Sequence, residues 1–412
     1  MKIVFFNAYY EPEVFASLYQ CKSLCEDLVD NGFEVDLYTP VPTRGISNKV
    51  RKEYKKKYRH EIKKDGNFNI YRIYIPGEGK STIFRAIRYI WMDIVFLYFG
   101  IKLESDVIFL YSTPPTQGVL GAIIKKIKKV PIIYNLHDVF PDSLVSSGLT
   151  HKDSVIFRLG KLIEKVTYKN ADKIIVISED LKRNILAKGV PEGKIEVVYN
   201  WVDENNIVSI DRHKNILIER FNLSEDKFYV VYAGNLGYAQ NIEIILEAAK
   251  ILAENKDIQF IIFGNGVQEK VFKNMVKELK LNNTKIFPLQ PYSDVSYVYN
   301  LGDVSLVSCK PGYGNSAMPS KTWSIMSAGR PVIASFDTNT DLQYLIEDNK
   351  VGIFTKAGDA EELSFAISYL FENRNECILM GQNAKKFILN NLTRQIGTGR
   401  IFSIIISVLR ND

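Results

Sequence analysis

Lys321 is the residue whose type and placement most invite chemistry. It lies in MPSKTWSIMSAGRPVIAS (318–335). There Pro319 and Ser320 suit a helix start, Gly329 suits its end, and Pro331 bars continuation. The predicted helix, 319–328, runs straight into the strand VIAS. Free N–H groups and the helix dipole at such a start attract a phosphate. A lysine in that first turn opposes the dipole but suits an anion, and it should be partly exposed. A solvated lysine on a short helix fits the same pattern, and the pattern alone leaves both readings open. GNLGYAQN (234–241) follows a strand and opens a helix. Gly234 and Gly237 let a backbone approach a ligand closely, as they would permit any tight strand–helix turn. FGNG (263–266), with Gly264 and Gly266, carries part of a dinucleotide fingerprint; the missing third glycine argues against a nicotinamide site. His137 and Asp138 close another strand, and the chain holds only four histidines. A histidine there reads as a structural side chain or as a catalytic one. Cys21 and Cys25, at helical spacing, have no histidine or second cysteine pair to complete a metal set. With Cys309 and Cys377 they read as reduced and structural.

These residues need a scaffold of strand ends. Apolar, β-branched runs at 3–6, 35–38, 70–75, 107–111, 132–135 and 173–177 read as buried strands with helical patterns between most of them. A second series begins at YVVYAG (229–234) and continues at 258–264, 285–289, 303–308 and 331–335. Strand–helix alternation with near-continuous apolar strands predicts parallel sheets covered on both faces. Two such series in 412 residues predict two doubly wound α/β domains. The expected division is 1–200 and 201–392, with an apolar helix at about 393–412 returning to the first domain. Ligands of such sheets lie outside the strands' carboxyl ends, so two sheets facing a cleft would suit a reaction between two bound substrates. Hydrophobic content of 46% and charged content of 24% fit a globular protein and argue against disorder. The N-terminus runs directly into a strand without a signal-peptide pattern, which predicts a cytoplasmic protein.

The stretch PSKTWSIMSAGRPVIAS resembles the signature of the large retaining glycosyltransferase family of GT-B fold, commonly called family 4. YSTPPTQGVLGAIIKK (111–126), YNLHDVFPDSLVSSGL (134–149), VISEDLKRNILAKGVPEGKIEVVYNWVD (176–203) and YAGNLGYAQNIEIILEAAKIL (232–252) are similar to its successive landmarks. More narrowly, the chain resembles the branch that builds capsule, O-antigen and colanic-acid repeat units, including N-acetylfucosamine transferases. The resemblance implies a UDP-sugar donor, an acceptor carried on a polyprenyl diphosphate, no cofactor and no metal. It implies a donor site in the second domain. Gly234, Asn235, Gly237 and Gln240 would border the diphosphate, with Gly264 and Gly266 near the nucleotide. Leu289 and Gln290 would lie in the base-reading loop. Pro319, Ser320, Lys321, Thr322 and Ser324 would form the signature helix. His137 would reach the transferring sugar or the acceptor; Asp138 would orient it, and Asp142 would contact the acceptor. Departures thin the usual charge. YYEPEVFAS (9–17) lacks the family's paired glycines, Asn235 and Gln240 stand where relatives carry arginine and lysine, and Ser324 replaces a glutamate. Lys321 must then supply most of the positive field, Arg330 being at the wrong end of its helix.

TRGISNKVRKEYKKKYRHEIKK (43–64) is strongly basic, with Arg51, Lys52, Lys55, Lys56 and Lys57 at its centre. It reads as a solvated surface helix or as an anchor for an anionic membrane surface. The apolar stretch 83–101 carries Arg85, Arg88 and Asp93, which argues against a transmembrane span. It favours a peripheral protein on the inner face of the cell membrane. No nucleic-acid motif accompanies these basic runs. Two other readings compete: a donor-binding subunit without transfer activity, and a GT-B enzyme with a soluble acceptor.

Overall fold

The computed structural model describes residues 1–13, 15, 17–54, 59–76, 82–146, 148, 150–314 and 318–410. The chain divides into two compact units, Met1–Asn200 with Gln395–Asp412, and Trp201–Arg394.

The first unit is built on eight strands. They are β1 (Lys2–Phe6), β2 (Glu34–Pro40), β3 (Arg59–Lys63), β4 (Phe68–Ile73), β5 (Val107–Tyr111), β6 (Ile132–Leu136), β7 (Lys173–Val176) and β8 (Ile195–Val197). Their order is β3-β4-β2-β1-β5-β6-β7-β8. All neighbours are parallel except β3, which runs antiparallel to β4. All five residues of β5 and of β6 are buried, as helices on both faces require. The helix Leu18–Asp30 buries Cys21, Leu24, Cys25 and Leu28. That spacing is one helical face, so the cysteines are core residues. Ser154 and Ser178 cap later helices by accepting from the N–H groups of Phe157 (3.1 Å) and Leu181 (3.2 Å). The helix Arg394–Arg410 completes this unit, with Phe402 set edge-on to Phe33 at 5.6 Å.

The second unit holds β9 (Phe228–Asn235), β10 (Ile258–Asn265), β11 (Thr284–Phe287), β12 (Val304–Ser308), β13 (Val332–Phe336) and β14 (Gly352–Lys356). The order β11-β10-β9-β12-β13-β14, all parallel, is the doubly wound arrangement. Strand order reverses between β9 and β12. These two register at Val230–Val304 and Val231–Ser305, and beyond those pairs their carboxyl ends part.

The basic run 43–64 is not one helix. Asn48–Tyr54 is helical, and Arg59–Lys63 is the antiparallel edge strand. Lys63 pairs with Glu11 at 2.5 Å and Lys64 with Asp30 at 2.5 Å, so part of its charge is neutralised locally. Arg51 and Lys52 are exposed. Lys55, Lys56 and Lys57 lie outside the described residues. No helix among the described residues is long and apolar enough to cross a membrane.

Candidate functional site

In the second unit the site grows from the reversal point. Residues 232 and 234 share one face of β9, because side chains alternate along a strand. Tyr232 presents its ring there, and Gly234 presents no side chain. Lys321, the first residue of the helix Lys321–Ser327, lays its ammonium over that ring at 3.8 Å from the centroid. Gly234 sits at φ 147°, and a Cβ built on it would lie 2.8 Å from the same nitrogen. Part of the lysine stem reaches the surface, but Nζ is sealed and takes no hydrogen-bond partner among the described residues. The expectation of a partly exposed lysine therefore holds for the stem and fails for the charge, because the Tyr232 ring and the bare Gly234 backbone enclose it. Burial pushes the Lys321 pKa down to about 7. The Tyr232 face acts the other way, since a cation over an aromatic ring is favoured. An unpaired buried cation is costly, and an anion brought beside it would offset that cost.

Other predicted residues fall around it. Asn235 ends β9, and its side-chain amide donates to the side-chain oxygen Oε1 of Gln240 at 3.2 Å. Asn235 and Gln240 are thus a neutral, mutually bonded pair. Tyr232 donates its hydroxyl to the Asn235 carbonyl at 2.8 Å, and Ser308, ending β12, donates to the Gln240 carbonyl at 2.6 Å. Both sides of the reversal point are so tied to the 234–241 loop. A Cβ on Gly237 would meet the Asn235 and Gln240 side chains. Gly264 and Gly266 have a different reason. A Cβ on Gly264 would lie 2.7 Å from the Gly234 carbonyl, and one on Gly266 would collide with that of Leu236. They are required by the neighbouring loop of the protein itself. Just beyond β11, Leu289 is exposed and Gln290 half-buried, where Gln290 accepts from Arg220 at 3.2 Å. Pro319 and Ser320 precede the helix instead of starting it, and Ser320 gives no side-chain cap. Thr322 is buried, its Oγ1 without a partner among the described residues. Ser324 is half-buried within the helix. Arg330 donates to the Asn300 carbonyl at 3.3 Å, a structural role.

Two contributors escaped the sequence reading. Tyr232 looked like any strand residue; its parity with Gly234 was the available signal. Asp337, directly after β13, accepts from the N–H groups of Gly312 (2.9 Å) and Gly314 (2.7 Å) and so fixes the loop that leads toward Lys321.

In the first unit His137 follows β6 directly. Its backbone N–H donates to Ser112 Oγ at 3.0 Å, and its ring sits edge-on to Tyr111 at 5.8 Å. Burial lowers the imidazole pKa to about 4, so the ring is neutral at pH 7 and could offer a hydrogen bond without carrying charge. Asp138 beside it is exposed. Asp142, expected at the acceptor, is part of an ion-pair network. It pairs with Lys188 at 2.7 Å and Lys161 at 3.5 Å, and both lysines also hold the buried Glu164. Burial would raise the Asp142 carboxyl, but the hydrogen bond and charge of Lys188 outweigh it, with Lys161 adding to them, and hold it below the usual range.

Each unit matches one family model. Residues 19–206 match that of Glycosyltransferase Family 4, and residues 213–387 that of Glycosyl transferases group 1. The probable glycosyltransferase WbjE of Pseudomonas aeruginosa is 26% identical over 281 residues, 66% of this chain and 69% of that protein. The putative colanic acid biosynthesis glycosyl transferase WcaI of Escherichia coli strain K12 is 24% identical over 367 residues, 84% and 86% of the two chains. The structure of HepE from Anabaena in complex with UDP superposes with a TM-score of 0.73 at 16% identity, over 99% of this chain and 100% of that one. At such identity the likeness shows the fold: two Rossmann-like domains of the GT-B type.

Proposed function

From a chain made of a family 4 glycosyltransferase domain followed by a group 1 glycosyltransferase domain, we propose an enzyme that moves a sugar from UDP to a lipid-linked acceptor during surface polysaccharide assembly. The observation that carries the reading is the sealed, unpaired Lys321 ammonium against Gly234, a single cation waiting for a diphosphate. The UDP held by HepE supports the choice of nucleotide, and the name of WcaI supports the choice of pathway.

In this reading the acceptor hydroxyl oxygen bonds to the anomeric carbon as the bond from that carbon to the diphosphate oxygen breaks. The hydroxyl proton passes to the departing phosphate, so attack comes from the leaving-group side and configuration is retained. Lys321 stabilises the charge gathering on the diphosphate, the kind of aimed electrostatic contact whose loss typically lowers turnover by ~10² to 10³. His137, neutral, holds a hydroxyl of the acceptor in the first unit. A peripheral membrane location follows from an acceptor that is a lipid.

The test is UDP release measured with UDP-sugars and a polyprenyl-diphosphate-linked acceptor, with the product's anomeric configuration read by NMR. Release should require acceptor and should fall ~10² to 10³ in Lys321→Ala. His137→Ala should lower turnover while UDP affinity stays near normal. Failure of every UDP-sugar tried, with GDP stabilising the protein more than UDP, would overturn the donor assignment. Donor binding without transfer would leave a donor-binding subunit, a reading that the neutral Asn235–Gln240 pair favours.

A further inference from the structure

The helix Thr82–Lys102 of the first unit is apolar on two sides. Met92 and Phe96 are buried in the core, but Phe84, Ile87, Trp91, Ile94 and Tyr98 recur every three to four residues on the opposite stripe. Among the described residues nothing covers that outer stripe: Phe84 is 66% exposed, Trp91 52% and Tyr98 55%. The neighbouring helices continue the pattern. Gln117–Lys128 packs against Thr82–Lys102 on one side and Val155–Asn170 on the other. It exposes Ile123 and Ile127, one turn apart, and the third helix exposes Val155, Ile156, Leu159 and Leu162. Three adjacent helices thus present an apolar outer face, and a contiguous apolar face with a polar rim marks an interaction surface.

The charges that these helices themselves turn outward have one sign. The three helices carry three, three and four lysines or arginines in chain order, against two acids, Asp93 and Glu164. Both acids turn inward: both Asp93 oxygens are sealed from solvent, and Glu164 is buried between Lys161 and Lys188. Of the ten basic residues Arg88 is buried, and Lys125 and Lys161 are paired, with Asp172 at 2.5 Å and with Glu164 at 2.7 Å, which leaves seven to form the rim. An apolar face with aromatic side chains and a rim of exposed cations complements an anionic interface, where apolar groups enter between headgroups and cations meet them. A second copy would bring basic rim against basic rim, which opposes self-association.

We propose that this three-helix face, and not the basic run 43–64, is the surface with which the protein rests on an anionic lipid bilayer. The proposal rests on the reading of a lipid-linked acceptor and deepens it: the face lies on the membrane, with the apolar stripe of Thr82–Lys102 at its centre.

The molecule carries its own reporter. Of its three tryptophans, Trp201 and Trp323 are 3% and 2% exposed, so Trp91 alone is in position to sense lipid. Vesicles of phosphatidylglycerol with phosphatidylcholine should shift tryptophan emission to the blue, and brominated acyl chains should quench it; pure phosphatidylcholine should do neither. Ile87→Glu with Ile94→Glu, both at exposed positions, should weaken vesicle co-sedimentation roughly tenfold or more without lowering the melting temperature. Arg51→Glu with Lys52→Glu should change it less than about twofold. Normal sedimentation of the isoleucine variant, or vesicle binding with an unmoved Trp91 spectrum, overturns the assignment of this face. No vesicle binding by the parent, with a dimer in sedimentation that the isoleucine variant dissociates, hands the face to a second copy and also overturns it. UDP binding measured on the same samples separates the two readings, since its failure beside intact vesicle docking removes the donor assignment and leaves the face.

Discussion

Replacing Lys321 by methionine should make the ligand-free protein more stable and a poorer binder of UDP. The gap between the ordinary lysine value of 10.5 and about 7 corresponds to ~5 kcal/mol of unfavourable burial. The Tyr232 ring at 3.8 Å offsets ~2 kcal/mol of this, leaving a net cost of ~3 kcal/mol at neutral pH. The sign follows from proton uptake. A lysine depressed in the folded state binds its proton more weakly there than in the unfolded chain. The cost is therefore complete below about pH 7 and fades as pH rises toward 10.5. Methionine fills similar space without the charge, so the Lys321→Met variant should melt higher at pH 7, with an advantage that narrows by pH 10. With UDP the order reverses. Loss of a charge-assisted contact of ~1.5–3 kcal/mol should weaken binding roughly 10- to 150-fold. Calorimetry in buffers of different ionisation heat should also show the parent taking up a fraction of a proton as UDP binds above pH 7, and the variant taking up none. A variant that melts lower at pH 7, together with parent binding that shows no proton linkage, would refute the idea that this ammonium stands waiting for a ligand.

Other outcomes follow from particular contacts. Gly234→Ala places a Cβ against the Lys321 ammonium at a backbone angle that costs ~1–3 kcal/mol for a non-glycine residue, so UDP affinity should fall. In the Lys321→Met background the same change should lower affinity little further, and an additive loss would separate the two residues. Lys188→Met leaves Glu164 with one partner fewer and should destabilise the protein by about 3 kcal/mol at pH 7. Because Asp142 is held below its ordinary value, its share of that stability is present above the unfolded value near ~4 and is lost as pH falls through the folded one. Melts that show the same deficit at pH 3 and pH 7 would contradict this. Burial raises the Asp93 carboxyl to about 7, so the folded state resists its ionisation and parent stability should fall between about pH 4 and 7. Asp93→Asn should therefore gain up to ~4 kcal/mol at pH 8 and nothing at pH 4, and equal melts at both pH values would remove the argument.

The parallel core was legible because its strands are buried on both faces, and runs such as VIFLY and IIYN have no other stable place. The antiparallel edge strand was not. RHEIK carries a charge or a polar group at four of five positions, which reads as helix or loop until Tyr71 stacks on His60 at 4.5 Å. The carboxyl-end positions of Gly234, Asn235 and His137 were readable because each directly ends or follows an apolar run. What Lys321 touches was not, because its enclosure depends on Tyr232, distant in sequence and unremarkable in type. For the glycines of FGNG the spacing alone did not show that Leu236 and the Gly234 carbonyl press on them. The partners of Asp142 were hidden for the same reason, because the two lysines that converge on it come from other segments.

The discontinuity of the first unit bears on how the protein is made. Its last helix, Arg394–Arg410, is separated from Asn200 by about 195 residues that all belong to the other unit. At ~5–20 residues per second, a ribosome needs roughly ten to forty seconds to cross that interval. During this time the nascent amino-terminal unit exists with the Phe33 side uncovered, while the second unit emerges whole and is free to fold first to completion. A stop codon placed late in the message would thus injure the part of the protein made earliest, and a chaperone that binds the unfinished chain should find its site near Phe33.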